Sequence, residues 1–107
     1  MAHGRLGAAD LSATTNTTIY TVPASTKATV NISVCNRNSS QIAIRLMHLD
    51  GAIGTLASED YIEYDLPIPA NEAIERTGIP MTATHVIAAY SDMANVSVQV
   101  WGIEETV

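Results

Sequence analysis

Cysteine is almost missing from this 107-residue chain: Cys35 is the only one, so no disulfide within the chain and no multi-cysteine metal site can form. Phenylalanine is absent altogether, and aromatic residues make up 5% of the sequence. Basic residues are equally scarce. Arg5, Lys27, Arg37, Arg45 and Arg76 are dispersed along a chain of formal net charge −6. Neutralising phosphates takes clustered cations, so nucleic acid and anionic membranes are excluded as expected partners. No apolar run approaches the ~20 residues of a membrane-spanning helix. The first residues also lack the apolar stretch of a secretory signal, which leads to an expectation of synthesis in a cytoplasm.

What the chain does contain is small and β-branched. Hydrophobic residues form 47% of the sequence, with Ala, Val and Ile prominent, a composition suited to thin two-layer sheet packing. From Lys27 to Cys35 the period is two. Ala28, Val30, Ile32 and Val34 point one way, while Thr29, Asn31, Ser33 and Cys35 point the other. Ahead of this stretch, Thr17 to Val22 is β-prone and Pro23 closes it, because proline cannot donate to a strand ladder. The alternation returns at Gln41–Leu49, with Ile42, Ile44 and Leu46 inward and Ala43, Arg45 and Met47 outward. It returns again at Val96–Trp101, with Val96, Val98 and Val100 inward. Turn residues recur every ~10–12 residues, the mark of a sandwich or barrel.

The expected fold is all-β: an antiparallel β-sandwich, jelly-roll or Ig-like, of seven or eight short strands over residues 16–107. Residues 1–15, rich in Gly and Ala, read as an irregular N-terminal arm or an irregular first strand, with Leu6 and Leu11 as anchors for a partner. Asp50 to Asp60 reads as a loop, or as a loop with one short helical turn near Ala57 to Asp60. Gly78–Met81 reads as an interruption between strands.

Chemistry-bearing patterns are weak. His3, His48 and His85 share no metal-ligand spacing, which leaves only a site assembled from distant residues. Glu63 and Asp65 would share one side of a strand and repel, unless a cation or an arginine lies between them. There is no nucleophile elbow, phosphate loop or Cys–His pairing, so the expectation is a protein without catalysis or cofactor. The large side chains offer a different use. Tyr61, Tyr64, Tyr90 and Trp101 are candidate contact residues, with Trp101 on the face opposite Val98 and Val100.

Four stretches carry a resemblance. Tyr20-Thr21-Val22-Pro23-Ala24, Val34-Cys35-Asn36-Arg37, Tyr61 through Asn71, and Val100-Trp101-Gly102-Ile103-Glu104 occur in order over nearly the whole chain. Together they resemble a domain of tailed-phage virion structural proteins, notably those of cyanophages and other marine or freshwater phages. The resemblance implies a virion structural role without catalysis. For a free-standing chain of this length it suggests a head decoration (cement) protein that stabilises the shell. Such a protein would be a homo-oligomer such as a trimer, contacting the major capsid protein or other virion proteins after assembly in the host bacterial cytoplasm. A tail, collar, baseplate or fibre component is the alternative within that family. A carbohydrate- or host-surface-binding module is the alternative outside it. The candidate partner-binding residues are Leu6, Leu11, Tyr61, Tyr64 and Trp101.

Overall fold

The computed structural model describes residues 3–107. Alternating sequence becomes strand wherever one face can be buried. Eight strands form: β1 (His3–Leu11), β2 (Thr17–Thr21), β3 (Thr26–Asn36), β4 (Ile42–Leu49), β5 (Tyr61–Ile68), β6 (Ala73–Met81), β7 (Val86–Ser91) and β8 (Val96–Thr106). Two short 3-10 turns, Ile53–Thr55 and Ser58–Asp60, lie in the crossover from β4 to β5. One antiparallel sheet has the order β1-β8-β3-β6 and the other β2-β7-β4-β5. The pairing is nested: β1 with β8, β2 with β7, β3 with β6 and β4 with β5. This is the winding of a jelly roll rather than an Ig-like sandwich.

The inward residues anticipated from alternation fill the space between the sheets. Val30, Ile32, Leu46, Val96 and Val100 are completely buried, and Ala28, Val34, Ile42, Ile44 and Val98 nearly so. Each fully buried Val, Leu or Ile contributes about 1.5–3 kcal/mol over its exposed state. The central ladder of each sheet is regular, β3 on β8 and β4 on β7. Every ladder that involves an edge strand contains a register shift. Bulged edges twist away from foreign strands, and proline is tolerated there because its missing N–H can face outward. Pro67 and Pro80 sit in the edge strands β5 and β6.

The structure corrects three expectations. Of the two readings of residues 1–15, arm or irregular first strand, the strand is the one that forms over His3–Leu11, registered against β8 from Ile103 to Val96, while Met1 and Ala2 lie outside the described residues. Its small residues serve close approach: a Cβ on Gly7 would stand 2.2 Å from the Ile19 carbonyl oxygen of the facing sheet. Leu11 is 2% exposed and belongs to the core, and Leu6 packs against that core, so neither is a free anchor for a partner. Gly78–Met81 does not interrupt a strand. It continues β6 through a bulge in which Gly78, at φ +70°, donates its N–H to Asn31 Oδ1 at 3.0 Å. Finally, Met47 faces outward as expected but is fully buried. With Leu49, Val86 and Ala88 it forms a second small core, covered by Ile53, Leu56, Tyr61 and Tyr90. The crossover between β4 and β5 is therefore a lid on the outer face of its own sheet.

Two buried polar clasps hold the sandwich. Asn36 at the end of β3 is fully buried. Its Nδ2 donates to the carbonyls of Ser40 (3.0 Å), Ile68 (3.1 Å) and Pro69 (3.0 Å), and its Oδ1 accepts from the N–H of Asn38 at 2.9 Å. Across the sheets, the Tyr20 hydroxyl of β2 donates to the Glu104 carboxylate of β8. Burial first, and then the Glu104 bond and charge, push the Tyr20 phenol well above its ordinary range, which keeps it a donor. Asn36→Ala should remove about 2–3 kcal/mol of stability by orphaning the Ile68 and Pro69 carbonyls. Urea denaturation followed by circular dichroism reads that loss, and an unchanged midpoint would contradict the clasp.

Candidate functional site

Arg45, at an outward position of β4, organises the uncovered part of the β2-β7-β4-β5 sheet. On one side the register sets it opposite Tyr90 of β7. On the other, β5 carries an extra residue: Ile44 pairs with Leu66 and Leu46 with Glu63, so Tyr64 and Asp65 together oppose Arg45. Asp65 absorbs the bulge at φ +53°, a left-handed conformation that aspartate tolerates better than most residues. The guanidinium carbon lies 4.3 Å from the Tyr64 ring centre and 4.6 Å from that of Tyr90. Arg45 Nε donates to Asp65 Oδ1 at 2.7 Å, and chiefly through that bond the guanidinium is held even more firmly in its charged form. Tyr61 meets Tyr64 edge-to-face at 4.9 Å. Tyr64 remains 59% exposed although its ring is held. The result is a preorganised contact patch. Its aromatic ring, cation and carboxylate are already ordered, so a partner immobilises little on docking.

The carboxylates of Glu63 and Asp65 do not confront one another. The bulge parts them and each takes its own arginine, Glu63 with Arg76 of β6 and Asp65 with Arg45. The Glu63–Arg76 pair joins the two sheets at the edge where β5 and β6 lie.

A second constellation is written nowhere in local spacing. Antiparallel pairing of β4 with β7 sets His48 opposite Ile87, two residues beyond His85. His48 Nε2 lies 2.9 Å from His85 Nδ1, and His85 Nε2 lies 3.0 Å from Thr82 Oγ1. His85 and Thr82 also border an open cleft of about 460 Å³ at one end of the sandwich, with Lys27, Met81 and Glu105 on its other walls. Burial and then the neighbouring imidazole lower the His48 pKa, against a smaller opposing pull from Asp60 and Asp50. Among the described residues, no group of three or more His, Cys, Asp or Glu side chains could hold a metal ion.

Trp101 stands apart from the tyrosines. It is half-buried on the outer face of the β1-β8-β3-β6 sheet, registered between Arg5 and Asn31. Compared with known protein families, with curated proteins and with solved structures, the chain matches none.

The anticipated contact residues thus divide three ways. Tyr61 and Tyr64 come together, joined by Tyr90 around Arg45. Trp101 is on the far side of the sandwich, and Leu6 and Leu11 are interior. The Arg45 stack was invisible in sequence because it depends on a bulge. The alternation of β4, which put Arg45 outward, was the only available signal.

The histidine pair has a pH consequence. A His48 pKa below its unfolded value of about 6.5 means that the unfolded chain binds more protons in the window just below it. Stability therefore rises with pH through that window, and is lost as pH falls from about 6.5 toward the folded value. Denaturation midpoints measured from roughly pH 5 to 8 should show this slope, and His48→Gln should flatten it. A slope unchanged in the variant would assign it to other groups.

Proposed function

We propose that this chain is a non-enzymatic structural protein of a phage particle, most simply a head decoration protein that binds and stabilises the shell. One observation carries the reading. The four stretches that resemble tailed-phage virion proteins are the ones that interlock in the fold. Tyr20 of the first bonds Glu104 of the fourth, and Asn36 of the second holds the Ile68 and Pro69 carbonyls of the third. The resemblance therefore rests on fold-defining contacts across the whole domain and not on one shared surface motif. A jelly roll suits such a role by analogy, since the architecture recurs in viral capsids.

With Leu6 and Leu11 in the core, the contact to the shell falls to the Tyr64–Arg45–Asp65 patch, with Tyr61 beneath it. The mechanism is adhesive: many copies, each making a modest preordered contact, hold neighbouring shell subunits together. A tail, collar, baseplate or fibre position would use the same chemistry at lower copy number. The patch also favours a second reading, a carbohydrate-binding module, because an exposed tyrosine beside a fixed cation and carboxylate can stack on a sugar and hydrogen-bond its hydroxyls.

Quantitative mass spectrometry of purified particles separates these readings. A decoration protein should be present at a copy number comparable with the shell subunit, a tail component at far fewer, and absence from particles would overturn the virion role. Tyr64→Ala should weaken attachment to shells lacking the protein by roughly tenfold or more. Glycan-array binding lost in the same variant would support the carbohydrate reading instead.

A further inference from the structure

We propose that the outward face of the β1-β8-β3-β6 sheet is an interface with a second copy of this chain, related by a two-fold axis running along the strands between β8 and β3. The inference does not depend on the virion reading.

The two outer faces of the sandwich are treated differently. The β2-β7-β4-β5 face brings its own lid, the crossover that covers Met47, Leu49, Val86 and Ala88. The β1-β8-β3-β6 face has no such cover among the described residues, yet it holds the single tryptophan, half-buried, and Ile103, 44% exposed. Its centre is uncharged. From Ser97 to Ile103 on β8 and from Thr29 to Cys35 on β3, no outward residue carries a charge. On a chain of net charge −6, self-association requires such a neutral surface, since like charges brought together repel. The face is also continuous at its centre, because β3 and β8 pair over eleven residues without a register shift. Its small side chains (Ser, Thr, Cys, Ala) let a second sheet approach to the usual ~10 Å. Four strands about 4.8 Å apart and eleven residues of about 3.3 Å give a face of roughly 700 Å². A standard specific interface takes about 800 Å² from each partner.

The charges that remain choose the occupant. Three of the five basic residues are engaged in ion pairs, Arg37 with Asp10, Arg45 with Asp65 and Arg76 with Glu63. The other two, Arg5 and Lys27, form none among the described residues, and both stand at the margin of this face. The two-fold lays β8 over β3 of the second copy and β1 over its β6. Lys27 and Glu105, opposite one another in the β3–β8 register, then each meet the reverse charge across the interface. Arg5 then stands over β6 of the second copy, offset along the strand by two residues, ~7 Å, from its Glu75 and within reach of the long arginine side chain. Trp101 settles over the smaller Asn31 of that copy. The same chain thus supplies both halves of a complementary surface, as an isologous contact requires.

Sedimentation equilibrium of the full chain tests this. The expected result is a reversible shift with concentration from 11.4 kDa to twice that mass. Emission from the single tryptophan should move to the blue over the same range. Ser33→Arg, at the half-buried centre of the face, should abolish both changes while circular dichroism remains native. Arg5→Glu and Glu75→Arg should each weaken association by roughly tenfold, and the double variant should restore it. Within one chain these residues lie on opposite edge strands, about 14 Å apart, so rescue reports only a contact between copies. A monomer at all concentrations, a trimer, or a dimer indifferent to Ser33→Arg would each overturn the proposal.

Discussion

The ladder between β3 and β8 is the constraint on which the molecule depends. It joins the first third of the chain to its C-terminal strand over eleven register positions without a shift. Its inward residues supply the floor of the core, and its outward residues from Thr29 to Cys35 and from Ser97 to Ile103 make an uncharged surface. Because the remaining strands nest outward from this pair and its counterpart β4–β7, the irregularities collect at the edges. Bulges appear wherever β1, β2, β5 or β6 is paired. A bulge costs local hydrogen bonding, and at an edge it also discourages uncontrolled strand addition. The edges are therefore poor sites for strand addition, and the faces are the surfaces left open to a partner.

Those faces have distinct chemistry. One carries a lid and, beside it, an ordered stack in which Arg45 lies between Tyr64 and Tyr90 and is steered by Asp65. The other is uncharged along its centre and uncovered among the described residues, with Trp101 at its middle. Two such surfaces on opposite sides would let one chain hold a second copy and a further partner at once. Packed back to back through the neutral faces, two copies would present two Tyr64 patches pointing apart, an arrangement suited to an adhesive joining separate sites.

Much of this was legible in sequence and some was not, for identifiable reasons. Strict alternation placed Ala28, Val30, Ile32 and Val34 in the core and Trp101 on the outer side, because a period of two has only one physical reading in a half-buried strand. The glycines and alanines of His3–Leu11 left a strand there undecided against an arm, because they break the alternation, and Gly7 among them gives clearance for the Ile19 carbonyl on the facing sheet. Met47 was assigned to the correct side but not to burial, because its cover comes from a crossover without periodicity. His48 and His85 meet through a register that no spacing records, and the union of Tyr64 and Asp65 at Arg45 requires a left-handed aspartate. In each case what escaped was a contact between distant segments.

The claim that the neutral face over β3 and β8 is an interface is tested most directly by the chain's only thiol. Cys35 lies on that face, partly accessible in the single chain. Its rate of maleimide labelling, measured from dilute to concentrated protein, should fall as the mass doubles and return to the dilute value in Ser33→Arg. A labelling rate that stays constant while the mass doubles would place the interface elsewhere and contradict the account.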